Sequence, residues 1–268
     1  MLHPDQPAAV RCSGFSFSGR YNVLSTVHRR LPRKTMQIPA DDLTEIVLPE
    51  MPESIFRAGL RYSVDAGQLD RLRASGIVLP DTLARAVLKR QVEFAAGRFC
   101  AREALQKLGH HGAATLAIGQ HRAPLWPAGS LGSISHGDGL AIAVATSSRE
   151  WRGLGIDIER MLTNEAAQPL HEHLMKAPEL AVGEAAGLSL GDWLSLVFSA
   201  KESLFKALYP FVGRYFDFLD AEVCELQEQQ SSLTLRLAAT LSPSCVKGSL
   251  YSIGYSYFSG NVATLCLF

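Results

Sequence analysis

The stretch "FCAREALQK", Phe99–Lys107, returns 99 positions later as "FSAKESLFK", Phe198–Lys206. Phe, Ala, Glu, Leu and Lys are identical at matching places, while Arg102 stands for Lys201 and Ala104 for Ser203. Both stretches carry apolar residues three and four apart, the period of an amphipathic helix. A helix that recurs in this way leaves two explanations. Either the chain was built by doubling one unit, or the match is coincidence among Ala, Glu, Leu and Lys, all good helix formers.

The surroundings of the two stretches bear on that choice. From Thr82 to Leu108 the spacing predicts one long helix, with Asp81 or Thr82 as its cap and Gly109 as its stop. Short β-type runs follow, "ATLAIG", "GSISH" and "LAIAVATS", separated by turns such as "RAPLWPAG". The same order then repeats. "GLGIDIE" reads as a strand, Asp192 to Tyr209 as a helix capped by Asp192 and stopped by Pro210, and "AEVCEL", "SLTLRLAA", "LYSIGYSYF" and "VATLCLF" as strands. The expected fold class is α+β, with two similar halves related by a pseudo-twofold duplication. The expected division is an N-terminal arm over 1–40, a first half over 41–150 and a second over 151–268. The arm has Arg11, Arg20, Arg29, Arg30, Arg33 and Lys34 against a single acid, Asp5. Its plain reading is a flexible basic segment, although organelle transit peptides share that composition.

Function has to be sought in small constellations, because the global properties are neutral. The 268 residues are 47% hydrophobic and their formal net charge is zero, so a core can form and no overall field attracts nucleic acid or an anionic membrane. Five scattered cysteines without a CxxC pair argue against a disulfide framework or a zinc knuckle and suggest a reducing cytoplasm. No run of about 18 apolar residues is present, so no membrane span is expected.

In "GLGIDIE", Leu154, Ile156 and Ile158 alternate with Gly155, Asp157 and Glu159, so the two carboxylates share one face of a strand. Like charges there are unfavourable unless a cation lies between them, or unless the pair simply faces solvent beside Arg160. On the later helix Glu202 and Lys206 are four apart and share a face, while Lys201 points toward Val197, Leu204 and Leu208. Three carboxylates beside a lysine make an inventory for a hard divalent cation and a diphosphate, since Mg²⁺ takes one or two carboxylates and completes its shell with water and phosphate oxygens.

"GIDIE" followed by "FSAKESLFKAL", with "GSISH" upstream, resembles the signature of the 4′-phosphopantetheinyl transferases of the large, pseudodimeric type. "EFAAGRFCAREAL" and "PLWPAGSLGSISH" are similar to the siderophore-synthetase-associated subgroup and to its broad-range pseudomonad members. The likeness runs from about Arg85 to Ala221. It implies two α+β halves with the active site in the cleft between them, acting as a monomer. The implied activity is Mg²⁺-dependent transfer (Mn²⁺ is an alternative) of the 4′-phosphopantetheine arm from coenzyme A to a serine of an apo acyl, peptidyl or aryl carrier protein, releasing 3′,5′-ADP. Carried over by position, the resemblance makes Asp157, Glu159 and Glu202 metal ligands and sets Lys206 on the diphosphate. It assigns Ser135 and His136 to the phosphates of coenzyme A, Arg98 to the nucleotide end, and Arg122 and Arg90 as further cations. His121 and Arg122 both precede "APLWP", so either could be the basic residue expected there. Glu202 has a second candidate role, as general base toward the incoming hydroxyl.

Other motifs do not survive their context. "GLSLG" around Ser189 fits a nucleophile elbow, but no strand precedes it and no histidine follows it. "HEH", His171–His173, lacks the spacing of a zinc site. No P-loop or dinucleotide fingerprint is present. Two competing functions remain: a module that binds coenzyme A without turnover, which has no need of three carboxylates, and a Mg²⁺-dependent coenzyme A hydrolase, which would release ADP without a carrier protein.

Overall fold

A computed structural model describes residues 46–111 and 115–268, which belong to one compact unit, Met36–Phe268. The expected basic arm, residues 1–40, lies outside the described residues. In chain order the elements are β1 (Phe56–Arg61), α1 (Ala66–Ala74), α2 (Leu88–Lys107), β2 (Ser130–Gly137), β3 (Leu140–Ser147), β4 (Leu154–Arg160), α3 (Asn164–Ala167), α4 (His171–Leu174), α5 (Ala177–Ala185), α6 (Leu190–Val212), β5 (Ala221–Gln227), β6 (Ser232–Leu237), β7 (Leu250–Phe258) and β8 (Asn261–Leu267). They form two antiparallel sheets, ordered β1-β3-β2 and β4-β8-β7-β6-β5. In each sheet the first strand in sequence pairs with the last, and one long helix covers the face, α2 over the first sheet and α6 over the second. The fold is therefore α+β and duplicated, as expected.

Two of the three cores lie under the long helices. Val92, Phe99, Cys100 and Leu105 of α2 pack on Ala58, Leu60, Ala141 and Ala143, while Leu196, Leu204 and Leu208 of α6 pack on Leu233, Ile253 and Val262. The third core sits between the sheets, where Leu140, Ile142 and Val144 of β3 meet Leu154, Ile156 and Ile158 of β4. The apolar face of "GLGIDIE" is thus turned to the seam between the halves and its acidic face to α6. Close approach on that face depends on Gly155, because a Cβ there would lie 1.9 Å from the carbonyl oxygen of Ser203.

The seam is stitched by side chains. Ser133 Oγ accepts from the backbone N–H of Ile156 at 3.0 Å, and Ser135 Oγ from that of Ile158 at 3.1 Å. These two alternate residues of β2 thus supply the acceptors that a strand ladder would otherwise give to N–H groups of β4.

Several expected boundaries change. The helix expected from Thr82 begins instead at Leu88, after a short 3₁₀ turn at Asp81–Leu83, because Val87 is extended (ψ 148°) and interrupts the helix. Gly109 ends it in a left-handed conformation (φ 97°) as expected. "ATLAIG" is not a strand: its described part contributes only an isolated bridge from Ile118 to Pro124. In α6 the cap is Ser189, whose hydroxyl accepts from the N–H of Asp192, and Asp192 lies within the first turn. Pro210 is inside the helix, in the last turn before the left-handed cap Gly213 (φ 68°), where the loss of one helical hydrogen bond is tolerated. Ser189 is therefore a capping residue, consistent with setting the elbow motif aside.

Candidate active site

Asp157 is the fixed point of the site. Its residue is 2% exposed, and its Oδ1 accepts from Ser135 Oγ at 2.9 Å and from Lys206 Nζ at 2.6 Å. Lys206 also donates to the backbone carbonyl of Ile156 at 3.1 Å, so β4 holds the lysine by backbone and side chain together. Its side chain keeps 24% of its surface exposed. Asp157 Oδ2 is buried and has no hydrogen-bond partner among the described residues. An anionic oxygen left so is costly unless a further cation or donor meets it.

Glu159 and Glu202 complete the acidic group. Burial, with Asp157 and Glu202 nearby, pushes the Glu159 carboxyl up to about 8 against the pull of Lys206. Burial and Asp157 raise Glu202 to about 7, again with Lys206 opposing. Burial alone would lower Lys206, but Asp157, Glu202 and Glu159 together carry it above the usual lysine value. Three acids and one ammonium thus share a partly dry volume in which the acids outnumber the cation, and Glu159 and Glu202 hold their protons more readily for it.

This donor set fits a hard divalent cation. Every available ligand atom is a carboxylate oxygen, and Oδ2 of Asp157 lacks a partner. Among the described residues no group of three His, Cys, Asp or Glu side chains is gathered closely enough to hold a metal ion by itself. Mg²⁺ does not need such a group, since it keeps several waters and shares its shell with substrate phosphates.

A cationic group stands on the first half. Arg98 of α2 is 6% exposed, donates Nε to the carbonyl of Leu116 at 3.0 Å and lies 4.7 Å over the Phe94 ring. Burial and then Arg90 lower its guanidinium to about 10. His136 is pulled down to about 4 by burial, then by Arg90 and Lys206, so it is neutral at physiological pH. Gly97 allows this gathering, because a Cβ there would lie 2.9 Å from Ile134 and 3.6 Å from His136. No carboxylate of the described residues forms an ion pair with Arg90 or Arg98. Arg90 has only the through-space pull of Glu93, so the two cations together can receive a phosphate.

The remaining expected residues fall less centrally. Ser135 is present, but its hydroxyl is engaged by Asp157 and Ile158, which places it behind the carboxylate. His121 is taken up by the second half: its Nδ1 is 2.8 Å from the Tyr209 hydroxyl, and Tyr215 donates to its carbonyl at 3.0 Å. Arg122 is exposed, with a left-handed backbone (φ 67°). Lys201, read as pointing toward apolar neighbours, forms a buried ion pair with Glu179 at 2.7 Å and donates to the carbonyl of Leu174 at 2.7 Å. Glu179 also accepts the N–H groups of Val223 and Lys176, both at 2.9 Å. The sequence reading missed this joint and the tyrosine contacts. For α5 a signal was available, Pro178 and Glu179 at the start of a helix being a capping pattern.

Comparison with known proteins adds an independent line. Residues 79–146 match the 4′-phosphopantetheinyl transferase N-terminal domain, and residues 153–265 match the 4′-phosphopantetheinyl transferase superfamily. The chain is similar to the 4′-phosphopantetheinyl transferase Svp of Streptomyces mobaraensis, at 39% identity over 58% of this chain and 62% of that protein. It is similar to enterobactin synthase component D of Salmonella typhimurium, at 36% identity over 66% of this chain and 69% of that protein. The 4′-phosphopantetheinyl transferase Npt of Nocardia iowensis is 33% identical over 53% of this chain and 62% of its own length. The chain thus spans less than two thirds of the length of some of these relatives.

Proposed function

Because the chain belongs to the 4′-phosphopantetheinyl transferase superfamily, we propose that it moves the 4′-phosphopantetheine arm of coenzyme A onto a serine of an apo carrier protein and releases 3′,5′-ADP. The observation that carries this reading is the buried Asp157, bonded to Lys206 on one oxygen and without a partner on the other. Asp157, Glu159 and Glu202 would hold Mg²⁺, or Mn²⁺ in its place. When bound, such an ion supplies charge neutralisation and orientation for the diphosphate.

The chain's own residues supply the rest. Arg98, with Arg90 and the neutral His136, receives the phosphorylated nucleotide end, and Arg122 is a more distant cation on the same half. Lys206 donates its remaining hydrogen to the diphosphate, against which charge builds as the phosphoryl group is transferred. The serine Oγ forms a bond to the phosphorus that bears pantetheine, the bond from that phosphorus to the bridging oxygen breaks, and 3′,5′-ADP departs with the electron pair. Glu202 accepts the serine proton as general base. Ser135 acts by holding Asp157 in place.

The carrier protein would approach the exposed end of α6, where Phe205, Tyr209, Phe211, Arg214 and Tyr215 offer apolar and basic groups to an acidic helix. Similarity to enterobactin synthase component D favours peptidyl and aryl carriers of siderophore assembly, with fatty-acid and polyketide carriers as further substrates. We place the enzyme in the cytoplasm, as a monomer, independent of nucleic acid and membrane. The test is intact-protein mass spectrometry of a panel of apo carriers incubated with coenzyme A and Mg²⁺. Full modification by wild type and none by Asp157→Ala or Glu202→Gln is expected. Modification by those variants at the wild-type rate would refute the assigned roles, and ADP release without a carrier would favour the hydrolase.

A further inference from the structure

We infer that Lys206 is the resident counter-ion of the acidic group and that its fixed charge makes binding of a divalent cation conditional on a bound diphosphate. The inference rests on the transferase reading of this site. The ammonium makes two of its three possible hydrogen bonds within the protein, to Asp157 Oδ1 and to the carbonyl of Ile156. The third hydrogen has no partner among the described residues, and the side chain is partly open to solvent.

The duplicated half shows that this lysine is anchored by the fold. Lys107, the counterpart of Lys206 in the repeated stretch, donates to the carbonyl of Arg57 on β1 at 3.0 Å. Counted from those carbonyls, Ala58 and Leu60 stand where β4 carries Asp157 and Glu159. The bond from lysine to strand carbonyl therefore recurs where the acids do not. Lys206 keeps a perch on the strand independent of the carboxylates, so its charge stays in place when a metal approaches.

The consequence is electrostatic. A cation arriving at the unpartnered Asp157 Oδ2 meets an ammonium already bonded to Oδ1 of the same carboxylate. At that range, in a partly buried site, like charges repel strongly enough to weaken metal binding by about tenfold or more. A diphosphate reverses the sign: it takes up the third hydrogen of Lys206 and offers its own oxygens to the metal. Metal and diphosphate then strengthen each other's binding by one shared factor, as linkage requires.

The test measures binding of Mn²⁺ alone, by the electron paramagnetic resonance of the free ion, without a carrier protein and so without turnover. Wild type should bind Mn²⁺ weakly alone and about tenfold or more tighter with saturating coenzyme A, after correction for Mn²⁺ bound by coenzyme A in solution. Lys206→Met should bind Mn²⁺ alone about tenfold or more tighter than wild type, and coenzyme A should then tighten it far less. Lys206→Arg, which keeps the charge, should behave as wild type. Equal Mn²⁺ affinity in wild type and Lys206→Met, or a Lys206→Arg protein as tight as Lys206→Met, would overturn the inference. Should Lys206→Met fail to fold, the wild-type arm decides: Mn²⁺ affinity unchanged by coenzyme A overturns it. A protein that binds Mn²⁺ tightly alone and still modifies carriers refutes only this inference. One that shows the coupling but never modifies a carrier refutes the proposed function instead.

Discussion

Substituting Gly155 by alanine should separate α6 from β4. The added Cβ would sit 1.9 Å from the carbonyl oxygen of Ser203 and 2.8 Å from the backbone nitrogen of Ala207, both main-chain atoms of α6 that no rotamer change can move. To reach ordinary contact, α6 has to withdraw from β4 by roughly 1 Å or more, at a cost of about 1–3 kcal/mol in overpacking. That shift matters because Lys206 and Glu202 ride on α6 while Asp157 and Glu159 ride on β4. The 2.6 Å bond from Lys206 to Asp157 would lengthen toward or beyond the limit of a hydrogen bond. A misplacement of this size costs about 10²-fold in rate. The assays are guanidinium unfolding and the rate of carrier modification by coenzyme A. Gly153→Ala serves as a milder comparison, since its nearest obstacle is the ring of Phe268, a side chain, and the main chain of α6 comes only within 3.0 Å, at the carbonyl oxygen of Ala207. Gly155→Ala modifying carriers at the wild-type rate would refute the argument that contact between α6 and β4 sets the site.

Breaking the buried pair by Lys201→Met leaves Glu179 charged and uncompensated, and should lower unfolding free energy by about 3–5 kcal/mol, read from the denaturant midpoint. Ser133→Ala removes the acceptor for the buried N–H of Ile156 without touching the acids, and should cost about 1–3 kcal/mol in the same measurement. The metal-free protein should lose stability as pH rises from 6.5 to 8, by about 1–2 kcal/mol. The sign follows because Glu202 and Glu159, raised to about 7 and about 8, keep protons in the fold that the unfolded chain has already released, and rising pH removes them. His136, lowered to about 4, adds an opposite slope only below its unfolded value of about 6.5. Urea midpoints in the presence of a chelator check this, and an unchanged slope in the double variant Glu159→Gln, Glu202→Gln would contradict it.

How much of this was legible in the sequence depends on whether local pattern or tertiary contact decided the outcome. Strands β2 to β8 declared themselves because alternation and turn residues act within a few positions. The shared face of Asp157 and Glu159 followed from the period of a strand. The burial of Asp157 did not, because it depends on the packing of α6 on Gly155 and on Ser135 from β2. The start of α2 was misplaced because Ala-rich periodicity continues through "TLARAV" while Val87 adopts an extended conformation. Helix α1 had a legible start, Asp65 capping the N–H of Gln68 in a D-x-x-Q pattern, but it was overlooked because the first 80 residues carried no familiar motif. The partners of Lys201 and His121 lie 22 and 88 residues away, on Glu179 and Tyr209, and no local pattern points across such distances.

The repeated stretch can now be decided between duplication and coincidence. Coincidence among helix formers would account for two helices of similar composition, but not for equivalent residues making equivalent bonds. Lys107 and Lys206 each donate to a carbonyl of the first strand of their own half. Arg102 and Lys201, the next matched pair, each donate to a carbonyl at the end of a preceding helix, that of Ser75 after α1 and that of Leu174 in α4. Two long-range contacts recurring in register, within sheets that each pair their first strand with their last, point to a common unit. The halves diverged at the strand. Where β1 buries Ala58 and Leu60, β4 carries Asp157 and Glu159, and the same lysine turns from a helix fastener into the counter-ion of an acidic site. In the first half the buried cation on the helix is Arg98, nine residues before Lys107, so under the proposed function the first copy offers positive charge to the ligand's phosphates and the second offers carboxylates to the metal. Because β2 and β4 are joined across the seam by Ser133 and Ser135, the proposed function calls for a ligand that both halves would grip, and a metal-bound diphosphate meets that requirement.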